Sequence, residues 1–126
     1  MSDSRAYILV VDDEWMNREL LEAYLMLGGY RVGMANSGEK ALEMAAADPP
    51  ALVMLDVRLT GLDGLEVCRR LKNDAGTHSI PVVMVTALES EEDQQQAIQA
   101  GADGFITKPF EMETLLAQIR SLLAKA

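Results

Sequence analysis

Short aliphatic or β-branched runs recur at wide intervals along the chain, and the segments between them carry apolar residues at helical spacing. The runs are Ala6 to Val11, Arg31 to Ala35, Ala51 to Leu55, Pro81 to Val85 and Gly104 to Thr107. Three are almost wholly apolar, as strands covered by helices on both faces of a parallel sheet must be. Met16, Leu20, Ala23, Tyr24 and Leu27 form one apolar stripe that stops at Gly28-Gly29, a left-handed helix stop. Asn36 or Ser37 can cap a second helix running to Ala47, where Asp48-Pro49-Pro50 ends it. Leu65, Cys68 and Leu71 mark a third helix ending near Asn73. Ser90 with Asp93 resembles a capping box for a polar fourth helix that stops at Gly101, and Met112, Leu115, Leu116, Ile119, Leu122 and Leu123 give the fifth a buried face. No linker or repeat interrupts this alternation, so residues 1–126 read as a single domain.

Strand-helix alternation with right-handed crossovers predicts an α/β fold, a doubly wound five-stranded parallel sheet. Chemistry in such sheets collects beyond the carboxyl ends of the strands, where the strand order reverses. Asp12-Asp13-Glu14 follow the first run, Asp56 the third, Thr86 the fourth and Lys108-Pro109 the fifth. Each alone has a plain structural explanation. The acid triplet before a helix serves equally as an N-terminal cap with favourable dipole charges, and an isolated Asp, Thr or Lys in a loop says little. Acids at neighbouring strand ends, however, repel each other and resist desolvation, so stability gives no reason to gather them. A cation explains them. Asp13 and Asp56 supply the hard carboxylate oxygens that Mg²⁺ prefers, Lys108 a fixed positive charge and Thr86 a hydroxyl donor. The set suits a transferring phosphoryl group.

Composition narrows the field. Of 126 residues, 20 are acidic and 11 are Lys or Arg, a net charge of -9 that argues against direct binding of nucleic acid. No run approaches the ~18 apolar residues of a membrane span, and none suits a signal peptide, so no membrane is involved and a cytoplasmic location is expected. The lone Cys68 excludes an internal disulfide and any Cys/His metal spacing.

Five segments together resemble the receiver domain of response regulators, the CheY-like phosphoacceptor of two-component signalling. They are Asp12-Asp13, Leu55-Asp56-Val57, Gly61-Leu62-Asp63-Gly64, Val85-Thr86-Ala87 and the stretch from Ala100 to Phe110 that contains Thr107-Lys108-Pro109. The resemblance implies strand order 2-1-3-4-5. It makes Asp56 the phosphorylated residue, charged by a histidine kinase or histidine phosphotransfer protein. Asp12, Asp13, Asp56 and the main-chain carbonyl of Arg58 would hold Mg²⁺, with Mn²⁺ a substitute. Lys108 and Thr86 would bind the phosphoryl group, and the Lys108-Pro109 bond would be cis. Thr86 and Phe105 would form the switch that remodels the face made by the fourth helix, fifth strand and fifth helix for a downstream protein or output domain. Such a domain catalyses only its own phosphorylation and dephosphorylation. It would be a monomer or a weak, phosphorylation-dependent dimer, with Asp103 and Arg120 as half of an interface.

Some positions depart from the family pattern. Thr60 stands where many relatives have proline. Arg58 and Leu88, two residues past Asp56 and Thr86, occupy the positions that tune water access to the phosphoaspartate. Neither can act as a base, which predicts slow self-dephosphorylation. A phosphatase of the haloacid-dehalogenase type would need an aspartate at 58, and a flavin carrier a phosphate loop without acids after the first strand; the sequence has neither. Trp15 reads as partly packed, His78 as a loop residue, Cys68 as an inert core thiol and Arg69, Arg70 and Lys72 as a solvated basic face.

Overall fold

Alternation of strand and helix runs unbroken through the computed structural model, which describes residues 5–59, 61–86 and 91–125, with the side chains of Thr86, Asp93 and Lys125 outside that description. The strands are β1 (Tyr7–Val11), β2 (Arg31–Ala35), β3 (Leu52–Asp56), β4 (Val82–Thr86) and β5 (Gly104–Thr107). The helices are α1 (Trp15–Leu27), α2 (Gly38–Ala47), α3 (Gly64–Asn73), α4 (Glu91–Gln99) and α5 (Met112–Lys125). All strand pairs are parallel and the sheet order is β2-β1-β3-β4-β5, the doubly wound α/β topology expected of the sequence.

The two-residue period of the strands divides the core. Leu9, Val11, Val53, Leu55, Val82 and Met84 pack against Ala41 and Ala45 of α2, Val67, Cys68 and Leu71 of α3 and Ala97 of α4. Ile8, Val10, Leu52, Met54, Val83, Val85 and Ile106 meet Leu21 and Leu25 of α1 and Leu115, Leu116 and Ile119 of α5 on the other face. With both faces covered, the strands need unbroken apolar runs, and that is why those runs were readable.

Local signals set the helix ends. Ser37 caps α2, its hydroxyl accepting from the Lys40 N–H at 3.1 Å, and Asp63 caps α3 by accepting from the Glu66 N–H at 2.9 Å. Gly29, at φ +91°, takes the left-handed conformation that stops α1. Gly64 opens α3 directly over β3, and its N–H donates to the Val57 carbonyl at 3.0 Å. A Cβ at Gly64 would come within 2.8 Å of the Val57 Cα, so only glycine lets α3 start this close to the strand end that carries Asp56.

Four sequence expectations change. Asp56 and Thr86 belong to their strands instead of following them, because the ladder continues through the pairs Asp56–Val85 and Thr86–Thr107. Of the stripe Met16, Leu20, Ala23, Tyr24 and Leu27 only Tyr24 packs against the core, and Leu21 and Leu25 form the buried face of α1; Met16 and Leu27 are 68% and 75% exposed. Trp15 shares that exposure, at 64%, instead of packing. Lys72 leaves the solvated face of Arg69 and Arg70 and turns under the helix, where its Nζ donates to the Ile80 carbonyl at 2.8 Å and to Asp103 Oδ2 at 2.6 Å. His78 is an exposed loop residue and Cys68 is fully buried, as expected. The capping box at Ser90 and the departure at Thr60 lie outside the described residues.

Candidate functional site

Adjacent strands β1 and β3 flank the point where the sheet order reverses, and their carboxyl ends bring Asp12 and Asp56 together. Both are buried, at 1% and 8% exposure. Each carboxylate is oriented by the backbone two residues on: Asp12 Oδ1 accepts from the Glu14 N–H at 2.9 Å, and Asp56 Oδ1 from the Arg58 N–H at 2.9 Å. Their second oxygens share one cation. Lys108 Nζ donates to Asp56 Oδ2 at 3.0 Å and lies 3.5 Å from Asp12 Oδ2. Lys108 arrives on the turn after β5, and its bond to Pro109 is cis.

Burial raises the Asp56 carboxyl above the ordinary aspartate range. The Arg58 N–H and Lys108 pull it down, the Asp12 charge pushes it up, and the net direction is upward. Lys108 also lies above its ordinary value: burial works against its charge, but the hydrogen bond and charge of Asp56, with Asp12 behind, outweigh it. The outcome is a lysine held firmly cationic beside a carboxylate more basic than one at the surface.

Asp13 follows Asp12 and is exposed. Among the described residues no group of three or more His, Cys, Asp or Glu is gathered to hold a metal ion, so the structure converges two of the three expected acids. Two oxygen-donor carboxylates still fit Mg²⁺, which takes one or two carboxylates and completes its shell with water and phosphate oxygens. The Arg58 side chain is exposed. Thr86 ends β4 beside Thr107 on β5, with its side chain outside the description, and Leu88 lies outside the described residues altogether. Phe105 is half-buried toward α4, over a cavity of about 220 Å³ lined also by Gln94, Ala97 and Ile98.

Sequence reasoning missed Arg18. Its guanidinium donates to the Asp12 main-chain carbonyl at 2.7 Å, closing the turn that carries the acids. Only a helix register placing residue 18 back over its own N-terminus could have pointed to it. A groove of about 390 Å³ lined by Asn17, Leu20, Leu21, Lys108, Pro109 and Phe110 leads from the site along α1.

Two buried acids answered by a lysine at this point of a 2-1-3-4-5 sheet agree with comparisons to known proteins. The sequence model of the response regulator receiver domain matches residues 8–120. The chain belongs to the receiver domain family. This receiver domain is 49% identical over 117 residues to the response regulator PleD of Caulobacter vibrioides, a match covering 93% of the chain and 26% of PleD. It therefore spans about a quarter of that relative. The chemotaxis protein CheY4 of Vibrio cholerae superposes with a TM-score of 0.90 at 29% identity, covering 94% of this chain and 99% of that one. The receiver domain of a sensor histidine kinase from Pseudomonas aeruginosa, solved with magnesium coordinated in its active-site cleft, gives a TM-score of 0.90 at 27% identity, covering 96% and 99%. Among the described residues, no helix is long and apolar enough to cross a membrane.

Proposed function

We propose that this receiver domain is a cytoplasmic phosphoacceptor switch that takes a phosphoryl group onto Asp56 from the phosphohistidine of a histidine kinase or phosphotransfer protein. The observation that carries the reading is Lys108 Nζ, 3.0 Å from one buried carboxylate and 3.5 Å from a second. An Asp56 oxygen attacks phosphorus, the phosphorus–nitrogen bond to the donor imidazole breaks, and the departing nitrogen keeps the electron pair and takes up a proton. Burial makes Asp56 a stronger base, and so a better nucleophile, than an exposed aspartate. Lys108 stands where it can neutralise charge on a phosphoryl oxygen. Asp12, Asp13, Asp56 and the Arg58 carbonyl would hold Mg²⁺, with Mn²⁺ as a substitute, and the metal supplies Lewis-acid relief of charge on the phosphoryl oxygens.

The exposed face of α1, with Met16, Leu20 and Leu27, begins beside the acids and offers an apolar surface on which a helical donor can lie. On the output side, Thr86 and Phe105 form the switch. The cavity beneath Phe105 leaves room for the ring to turn, and burial alone drives that turn because Phe lacks a phenol hydroxyl. An almost complete shift between two states takes about 5.5 kcal/mol of differential stabilisation, within reach of a new dianion at Asp56. The partner that reads the α4-β5-α5 face is a downstream protein or output domain with a basic or apolar docking surface. Arg58 and Leu88 make self-dephosphorylation slow, and an Arg58→Asn, Leu88→Glu double variant should lose phosphate faster.

Incubation with acetyl phosphate and Mg²⁺ followed by intact-mass analysis tests the central claim. The wild type should gain one phosphoryl adduct and Asp56→Asn none. An unmodified wild type, under conditions that modify a control receiver, overturns it.

A further inference from the structure

The amino end of α1 is organised in an unusual way. Its N-cap, Glu14, makes no side-chain capping bond, and its first turn contains no acidic residue. The half-buried Arg18 instead folds back from the second turn and donates to the Asp12 carbonyl at 2.7 Å. This puts a cation at the positive end of the helix dipole, where stability favours an anion. The acids Asp12, Asp13 and Glu14 at this helix end offset that charge, so it is the contact to the carbonyl that calls for a role.

The bonds to Asp12 supply the reason. Its N–H donates to the Ala35 carbonyl at 3.2 Å, its Oδ1 accepts from Glu14 N–H at 2.9 Å, and its Oδ2 faces Lys108 at 3.5 Å. The carbonyl at the strand end belongs to the peptide plane that leads into Asp13. Arg18 holds that carbonyl. We propose that Arg18 is a positioning residue for divalent-metal binding: by clamping the Asp12 carbonyl it fixes the turn from which Asp12 and Asp13 present their carboxylates. The inference rests on the metal-dependent reading of the site given above.

The alternative role has the opposite sign. If Arg18 acted only through its charge, it would repel an incoming divalent cation, and its removal would tighten binding. If it acts through position, removal weakens binding, because a ligand turn that must first be ordered lowers affinity. Mg²⁺ affinity of the full chain is measured by calorimetry and by the emission of Trp15, which lies beside the acids, for wild type, Arg18→Met and Arg18→Lys. Melting curves in EDTA establish that each variant is folded at the titration temperature. Arg18→Met should bind Mg²⁺ about tenfold more weakly, the loss usual when a group supporting a metal ligand is removed. Arg18→Lys, whose ammonium can reach the same carbonyl, should recover most of the affinity. Unchanged or tighter binding by Arg18→Met overturns the proposal, as does a lysine variant no better than the methionine one. A wild type that gives no response to Mg²⁺ overturns the functional reading itself, and the two failures are therefore distinct.

Discussion

Helices α4 and α5 flank the same strand, β5, and are built on opposite plans. From α5, Leu115 and Ile119 are fully buried and Leu116 nearly so, clamped between the sheet and α1. The described part of α4 buries only Ala97, with Ala100 just beyond its end, and leaves Ile98 68% exposed. Among the described residues, what holds α4 is concentrated at its carboxyl end. Cys68 Sγ donates to the Ala100 carbonyl at 3.4 Å, and Asp103 is tied to Lys72 at 2.6 Å and to the Val82 N–H at 2.8 Å. A helix anchored at one end by small residues can shift at little cost in buried area, whereas one held by three large aliphatics cannot. On the output face proposed above, which both helices share, α5 would be the fixed wall and α4 the part free to respond.

The contrast can be broken by mutation, and the largest effect should come from α5. Leu115→Ala should cost about 2 to 5 kcal/mol in urea unfolding, because the side chain is fully buried; a loss below about 1 kcal/mol would mean α5 is no more fixed than α4. Asp103→Ala comes next, at about 1 to 3 kcal/mol, since it strands the Val82 N–H and leaves the half-buried Lys72 amine only the Ile80 carbonyl. Hydrogen exchange should then quicken at the end of α4 and not in α5.

A smaller effect belongs to Cys68, whose thiol burial pushes up to about 11. Because the folded value lies above that of the unfolded chain, the neutral thiol favours the fold at all pH values below the unfolded one. That contribution disappears as the pH climbs through about 9 to about 11. Wild type should therefore lose about 1 to 2 kcal/mol relative to Cys68→Ala between neutral pH and pH 10.5, and the thiol should resist alkylation at pH 8 until the protein unfolds. The smallest effect should be that of Ile98→Ser, within about 0.5 kcal/mol of wild type. A large destabilisation there would show that α4 is packed more firmly than its exposure indicates.

Where the sequence was legible, one force dominated. Buried strands and the large-residue face of α5 follow from burial alone, and Ser37 shows its role by being a capping residue ahead of a helix. The helix α1 misled because it contains more apolar residues than one packing face requires, so the stripe that period suggests is the one facing water. Lys72 misled for the converse reason: its charge implies solvent, but Gly101 leaves room for the stem and Asp103 waits at the end of it. Asp12, Asp56 and Lys108 could be gathered from sequence because each sits at a strand end whose place the topology dictates. Arg18 could not, because it acts through a main-chain carbonyl, and a carbonyl has no letter in the sequence.

The exposed stripe on α1 has a colloidal consequence as well. A net charge of -9 keeps copies of the chain apart at low ionic strength, while Met16, Leu20 and Leu27 offer a surface that would rather be covered. At about 0.1 M salt the repulsion reaches only about 10 Å, and it shortens as salt is added. Concentrated, salty solutions therefore bring that helix forward as the first point of contact between molecules, and its occupation by the proposed helical donor would raise solubility as well.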